Sequence, residues 1–165
     1  MKLAIGGDHG AYDLKVDLVE HLRSQGHEVV DLGAHNAQRT DYPVYGRAVG
    51  EAVVAGEVEA GIALCGSGVG ISISANKIRG VRAVLCSEPY SAQMARRHND
   101  ANVLCMGGRV VGPELAKMIV DAFLGATFEG GRHADRVAMI TALDEGHPEQ
   151  VPGCARAHCP EVINA

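Results

Sequence analysis

The feature that most constrains this chain is an alternation between two hydrophobic periods. Short apolar runs of strand length end in glycine-rich turns, and each is followed by a segment with a helical repeat. "KLAIGGD" (2–8), "HEVVDLG" (27–33), "AGIALCG" (60–66), "VRAVLCS" (81–87) and "ANVLCMGG" (101–108) read as strands. Between them, 12–26 places Leu14, Leu18 and Leu22 four apart with Val19 beside them and stops at Gly26, the pattern of an amphipathic helix with a glycine cap. Residues 41–58 open with Asp41 as a capping candidate and Pro43 in the first turn, and 88–99 carry Pro89 in the same place. Residues 70–78 begin a further helix. Residues 112–128 put Leu115, Met118, Ile119 and Ala122 on one face, and 133–146 form a last helix. Such alternation predicts an α/β fold, a doubly wound parallel sheet of about five strands. Ligands of these folds sit at the carboxyl ends of the strands. The expected active surface therefore combines the turns "GGDHG", "CGSGVG" and "MGGR".

Composition agrees. Aromatic residues are 4% of the chain and Trp is absent, so the core is built from Ala, Val, Leu and Ile, the filling of a sheet covered by helices. Formal net charge is −5, which argues against a general nucleic-acid surface. No apolar run approaches the ~20 residues of a membrane span, and "MKLAIGGDHG" carries too short an apolar stretch for a signal peptide. A cytoplasmic location is expected, with Cys65, Cys86, Cys105, Cys154 and Cys159 as free thiols.

Four stretches carry chemistry. In "GGDHGAYDLK", Asp8 and His9 lie in the turn before a helix. A carboxylate there accepts sugar hydroxyls, and a histidine there helps hold a phosphate; Asp8 serves equally well as a helix cap. In "CGSGVG", the amides of Gly66, Gly68 and Gly70 with the Ser67 hydroxyl form a loop suited to an oxyanion, with Cys65 at its mouth. A thiol in that setting acts as base or nucleophile, whereas most free cysteines, Cys86 and Cys105 among them, are small buried apolar residues. The loop lacks the Lys-Ser/Thr of a Walker motif, and Ile71 stands where a dinucleotide fingerprint needs its third glycine. In "ARRHNDANVLCMGGR", His98 is a candidate proton shuttle or simply a polar helix end, next to Asn99, and Arg109 follows a double glycine. In "GGRHADRVAMI", Arg132 and Arg136 share a helix face beside His133, either a clamp for a dianion or a solvated face paired with Asp135.

Together these blocks resemble the ribose-5-phosphate isomerase B family, which includes the galactose-6-phosphate isomerase subunits. "GGDHGAYDLK", "DYPVYGRAVGEAV", "GIALCGSGVGISISANKIRGVRAVL", "RRHNDANVLCMGGRVVG" and "RHADRVAMI" follow the family's order and spacing over roughly residues 1–145. The resemblance implies a Rossmann-like three-layer αβα domain with a five-stranded parallel sheet over 1–146. It implies a homodimer or dimer of dimers with active sites shared between subunits, and neither cofactor nor metal. The implied reaction interconverts D-ribose 5-phosphate and D-ribulose 5-phosphate through an enediolate. By position, Cys65 resembles the base, a role that some members give to a glutamate where Ile71 stands here. Ser67, Gly66, Gly68 and Gly70 resemble the enediolate loop, and His98 the acid/base that opens the furanose ring from a neighbouring subunit. Asp8, Tyr42 and Asn99 resemble sugar-hydroxyl contacts. His9, Arg132 and Arg136 resemble phosphate ligands, with Arg109 a further one across the interface.

Two alternatives stand beside this reading: a six-carbon aldose 6-phosphate as substrate, and a non-catalytic sugar-phosphate-binding module. The chain departs from the family in an irregular extension, 147–165, that either covers the partner's cleft or stays disordered. Its Cys154, His158 and Cys159 lack both a paired C-x-x-C knuckle and a fourth ligand, so no metal site is expected there.

Overall fold

The computed structural model describes residues 1–152. Five parallel strands form one sheet: β1 (Lys2–Gly7), β2 (Glu28–Asp31), β3 (Ala60–Cys65), β4 (Ala83–Leu85) and β5 (Val103–Gly107), in the order β2-β1-β3-β5-β4. The inner strands β3 and β5 are buried along their whole length, and β1 from Leu3 onward, as near-continuous apolar runs demand when both faces are covered. The edge strands β2 and β4 are shorter than the apolar runs that announce them. Their flanking residues lack a neighbour strand on one side, and Arg82 is instead tied by its backbone N–H to Asn102 Oδ1 (2.8 Å).

Six helices cover the sheet: α1 (Tyr12–Ser24), α2 (Tyr42–Val54), α3 (Val69–Ala75), α4 (Pro89–Asn99), α5 (Pro113–Leu124) and α6 (Arg132–Asp144). This is the three-layer Rossmann-like arrangement that the period alternation predicts. Strand pleating divides the core. Ile62 and Leu64 of β3 point to one face, where Leu18, Leu22, Ile119 and Phe123 meet them. Ala63 and Cys65 point to the other, against Val49, Ile71 and Ala75. That second face is built from small residues because α2 lies so close: a Cβ on Gly61 would fall 2.4 Å from Val49 Cγ1.

Two local expectations change. The buried stripe of α5 is Ala116, Ile119, Val120 and Phe123, while Leu115 and Met118 are exposed. The helix carries two apolar stripes, and periodicity alone does not say which one faces the sheet. Asp41 stands at the N-cap of α2 but its side chain makes no cap bond; Pro43 in the first turn already removes one of the N–H groups a cap would serve. The 147–165 extension begins with a 3₁₀ turn over Pro148–Gln150, and Cys154, His158 and Cys159 lie outside the described residues. Among the described residues no helix is long and apolar enough to cross a membrane.

Candidate active site

The chain runs from β1 to the edge at β2 and then crosses back to β3, so the carboxyl ends of β1 and β3 flank a topological switch point. A cleft of about 540 Å³ opens there, extended on one side by the turn after β5. Asp8 forms its floor, with Oδ1 accepting from the Gly10 N–H at 2.9 Å as the cap of a short 3₁₀ turn, His9–Ala11. One carboxylate oxygen is therefore engaged in capping, and the residue still faces the cleft. Cys65 lies at the end of β3, 4% exposed, and the Gly68 N–H donates to its sulfur at 3.1 Å. Gly68 adopts φ +78°, a conformation that favours glycine, and an added Cβ would fall 2.7 Å from the Met106 backbone. Ser67, Gly66 and Gly70 line the cleft, with the Tyr42 ring packed on Gly70. The Arg109 guanidinium lies 3.5 Å from where a Gly66 Cβ would stand. His9 is half-buried beside this cleft, and its Nδ1 accepts from the Thr40 N–H at 3.3 Å.

A second constellation lies at the opposite edge of the sheet. In a parallel sheet each helix returns the chain from the carboxyl edge to the amino edge. His98 and Asn99 end α4 just before β5 begins, so they stand at the amino edge. At ~3.3 Å per residue, the six residues of β3 keep that edge roughly 16 Å from Cys65. Helix α5 returns the chain to the same edge, where α6 starts with Arg132 and packs against α4. The turn is locked. Asp100 holds φ 44° because Arg82 binds its carbonyl (2.7 Å) and Oδ2 (3.0 Å) while Arg96 reaches Oδ1 (3.3 Å). Arg82 Nε also binds the Asn99 carbonyl at 3.1 Å.

At that edge the His98 and His133 rings stack with centroids 4.1 Å apart and planes 1° from parallel. Glu129 Oε2 lies 3.7 Å from the Nε2 atoms of both. Glu129 also accepts from Arg97 Nε at 2.6 Å, which holds its carboxyl below the ordinary range. Burial lowers the pKa of His133, reinforced by His98 and Arg132. The donor atoms of His98, Glu129 and His133 lie within 4.8 Å of one another, close enough to hold an ion. Parallel rings, however, aim their lone pairs side by side rather than at a common point, and Arg97 already occupies the carboxylate. Arg132 and Arg136, exposed and four residues apart on α6, have no carboxylate partner among the described residues, Asp135 included.

A family model described as Ribose/Galactose Isomerase matches residues 3–140. The chain belongs to that family. It is 60% identical over 144 residues to ribose-5-phosphate isomerase B of Escherichia coli, spanning 87% of this chain and 97% of that protein. The structure of Clostridium thermocellum ribose-5-phosphate isomerase B superposes with a TM-score of 0.88 at 50% identity, covering 89% of this chain and 99% of the other. Ribose-5-phosphate isomerase B of Mycoplasma genitalium, solved with bound ribulose-5-phosphate, gives a TM-score of 0.84 at 39% identity over 87% and 96% of the two chains.

Within this family member the turns expected to converge do so: Asp8, Tyr42, Cys65, Gly66, Ser67, Gly70 and Arg109 share one cleft. Arg109 lines the cleft of its own chain, and the turn that carries it hydrogen-bonds to the Cys65 loop (Arg109 N–H to Gly66 O, 3.0 Å). The Gly68 amide donates to the sulfur of Cys65. His98, Asn99, Arg132 and Arg136 gather at the other edge. The buried Lys15 stands outside the expected site, with its Nζ 2.6 Å from both Asp31 oxygens. A lysine inside the Leu14–Leu18–Leu22 stripe was the available signal. Nothing in the local sequence points to Glu129 or Arg82.

Proposed function

We propose that the chain is an aldose–ketose isomerase that interconverts D-ribose 5-phosphate and D-ribulose 5-phosphate, with Cys65 as the base. The observation that carries this is the thiol at the end of β3, which faces a cleft lined by Ser67 and the glycine loop in a chain of this family. On the open-chain aldose the thiolate takes the proton from C2. The electron pair moves to the C1 carbonyl oxygen and gives an enediolate. The Ser67 hydroxyl and the loop amides stabilise the oxyanion. A proton then moves from O2 to O1 of the enediolate, and returning the first proton to C1 leaves the carbonyl at C2, the ketose. Asp8, Tyr42 and Asn99 hold sugar hydroxyls, and His9, Arg109, Arg132 and Arg136 hold the phosphate.

His98 acts as the acid/base that opens the furanose ring. Its place at the amino edge, with Asn99 and the Arg132–Arg136 pair, supports a homodimer in which each subunit completes the other's cleft. The 60% identity to a ribose-5-phosphate isomerase B favours the pentose over a six-carbon substrate.

Steady-state assay on ribose 5-phosphate tests the activity. Cys65→Ala is expected to lower kcat by ~100-fold or more with little change in binding. Unchanged turnover in the variant, or no turnover of ribose 5-phosphate by the wild type, would overturn the reading. Mixing tests the shared site. Cys65→Ala and His98→Asn, each inactive alone, regain about a quarter of wild-type activity after subunit exchange, since half the dimers then hold one intact site. No recovery would refute sharing.

A further inference from the structure

We propose that His133 is a positioning residue for the ring-opening step, holding the imidazole of His98 in a fixed plane. The inference rests on the reading of His98 as the ring-opening acid/base and goes beyond it. An imidazole in the last turn of a helix turns about two torsions, and His98 lies there 35% exposed, with no hydrogen bond to its ring among the described residues. What fixes it is a surface. His133 lies beneath it, 9% exposed, ring on ring at 4.1 Å and 1°. His133 is itself held: it occupies the first turn of α6, and its Nε2 accepts from Arg132 Nε at 3.4 Å. That bond requires an unprotonated Nε2, so the supporting ring is neutral. Two stacked imidazolium rings would repel, and Arg132 and Arg136 add positive charge on the same side. The ring-opening role falls to the more exposed ring, His98, beside the Glu129 carboxylate that both rings share. A flat, neutral, immobile platform under a proton-transfer ring converts a mobile group into one with a single approach to the substrate.

The chemistry supplies a readout that a general structural role would not move. Ribose 5-phosphate is mostly a closed furanose and needs ring opening. Ribulose 5-phosphate is acyclic, because its 5-hydroxyl is esterified, so exchange of its C1 hydrogen with solvent needs only the base and the enediolate loop. His133→Ala is expected to lower kcat on ribose 5-phosphate by about 10- to 100-fold. Deuterium incorporation at C1 of ribulose 5-phosphate in D₂O stays within about two-fold of wild type, since the enolisation machinery is untouched. His133→Phe keeps the flat neutral face and recovers turnover to within about three-fold of wild type.

Unchanged turnover in His133→Ala, exchange that falls in parallel with turnover, or a His133→Phe variant as poor as His133→Ala would each overturn the proposal. His98→Asn is run alongside. If it shows the same split, the underlying reading of His98 stands and the His133 variants are judged on their own. If it lowers exchange as much as turnover, or leaves turnover intact, the reading of His98 fails, and that failure is seen separately from any result at position 133.

Discussion

Replacing Asp31 with Asn tests how the carboxyl edge of this sheet is built. Lys15 is 1% exposed, and its ammonium meets both Asp31 oxygens at 2.6 Å. Asp31 also accepts from the Gly33 N–H at 2.9 Å. The Gly33 carbonyl in turn takes the Gly7 N–H (2.7 Å), and the Ala34 N–H returns to the Gly7 carbonyl (2.6 Å). The pair thus clamps the end of β1, where Asp8 enters the cleft. Asparagine keeps the shape and the Gly33 bond but strands the lysine charge. Breaking a buried pair costs about 3–5 kcal/mol. Asp31 is 27% exposed, so water relieves part of this, and about 3 kcal/mol is expected. For a chain of this size that is a Tm loss of roughly 6–12 °C. Lys15→Met should cost less, about 1–2 kcal/mol, because the orphaned carboxylate keeps water and Gly33 while the thioether fills the apolar site. Urea unfolding of both variants and the double mutant measures the coupling. A cost below about 1 kcal/mol for Asp31→Asn, or a larger cost for Lys15→Met, would refute the view that the buried lysine is the partner that cannot be left alone.

The same pair predicts a pH signature. Burial raises the Asp31 pKa, but the Lys15 hydrogen bond, the Gly33 amide and the lysine charge outweigh it and hold it below the ordinary carboxylate range. A depressed folded pKa means the stabilisation is complete above the unfolded value and is lost as pH falls through the folded one. Wild type and Asp31→Asn should therefore differ by a constant above about pH 5 and converge below about pH 4 in urea titrations, and parallel curves down to pH 2 would contradict this. Gly70→Ala places a Cβ 2.5 Å from Tyr42 Cζ, a side chain that can swing away. Circular dichroism melts should change little while KM for ribose 5-phosphate rises several-fold, about 3–10. Gly107→Ala meets Ser67 backbone at 2.6 Å, which cannot swing away, so it should lower Tm by more than Gly70→Ala; the reverse order would sink the argument. Burial, with Glu88 nearby, pushes the Cys86 thiol up to about 11, and burial also raises fully enclosed Cys105. Peptide mapping after iodoacetamide at pH 8 should find Cys65 modified well before either, since only ~0.1% of Cys86 is thiolate there.

How far the sequence speaks depends on what each part of the structure rests on. The sheet and its helices rest on periodicity, which is local, so Leu14, Leu18 and Leu22 find the core as read. The edge strands rest on having a neighbour, so the extents of β2 and β4 were overestimated. The face of α5 rests on which of two apolar stripes meets the sheet, and the wrong one was favoured. The glycine turns announce the cleft because only backbone without side chains permits the approach of Gly107 to Ser67 and of Gly68 to Met106. Lys15–Asp31 and Arg82–Asp100 join residues 16 and 18 positions apart through opposite charges that look, in sequence, like ordinary surface groups.

One part of the site's arrangement follows from order along the chain alone. In a parallel sheet a residue that follows a strand lies at the carboxyl edge, and a residue that precedes the next strand lies at the amino edge. Cys65 ends a strand, and Asp8, His9, Ser67 and Arg109 follow strands. His98 and Asn99 precede β5, and Arg132 begins α6 after α5 has returned to that edge. On the proposed roles, a base and a ring-opening group at opposite edges, separated by the length of the six-residue β3, cannot serve one substrate within one chain. The family resemblance implies a neighbouring subunit as the donor of His98, and the proposed two-fold pairing, with the amino-edge cluster of one chain set against the carboxyl-edge cleft of its partner, would unite all the proposed roles. In the proposed dimer the exposed Arg132–Arg136 pair, without a carboxylate partner among the described residues, and the exposed Tyr42 at the rim of the cleft would form two halves of one binding surface.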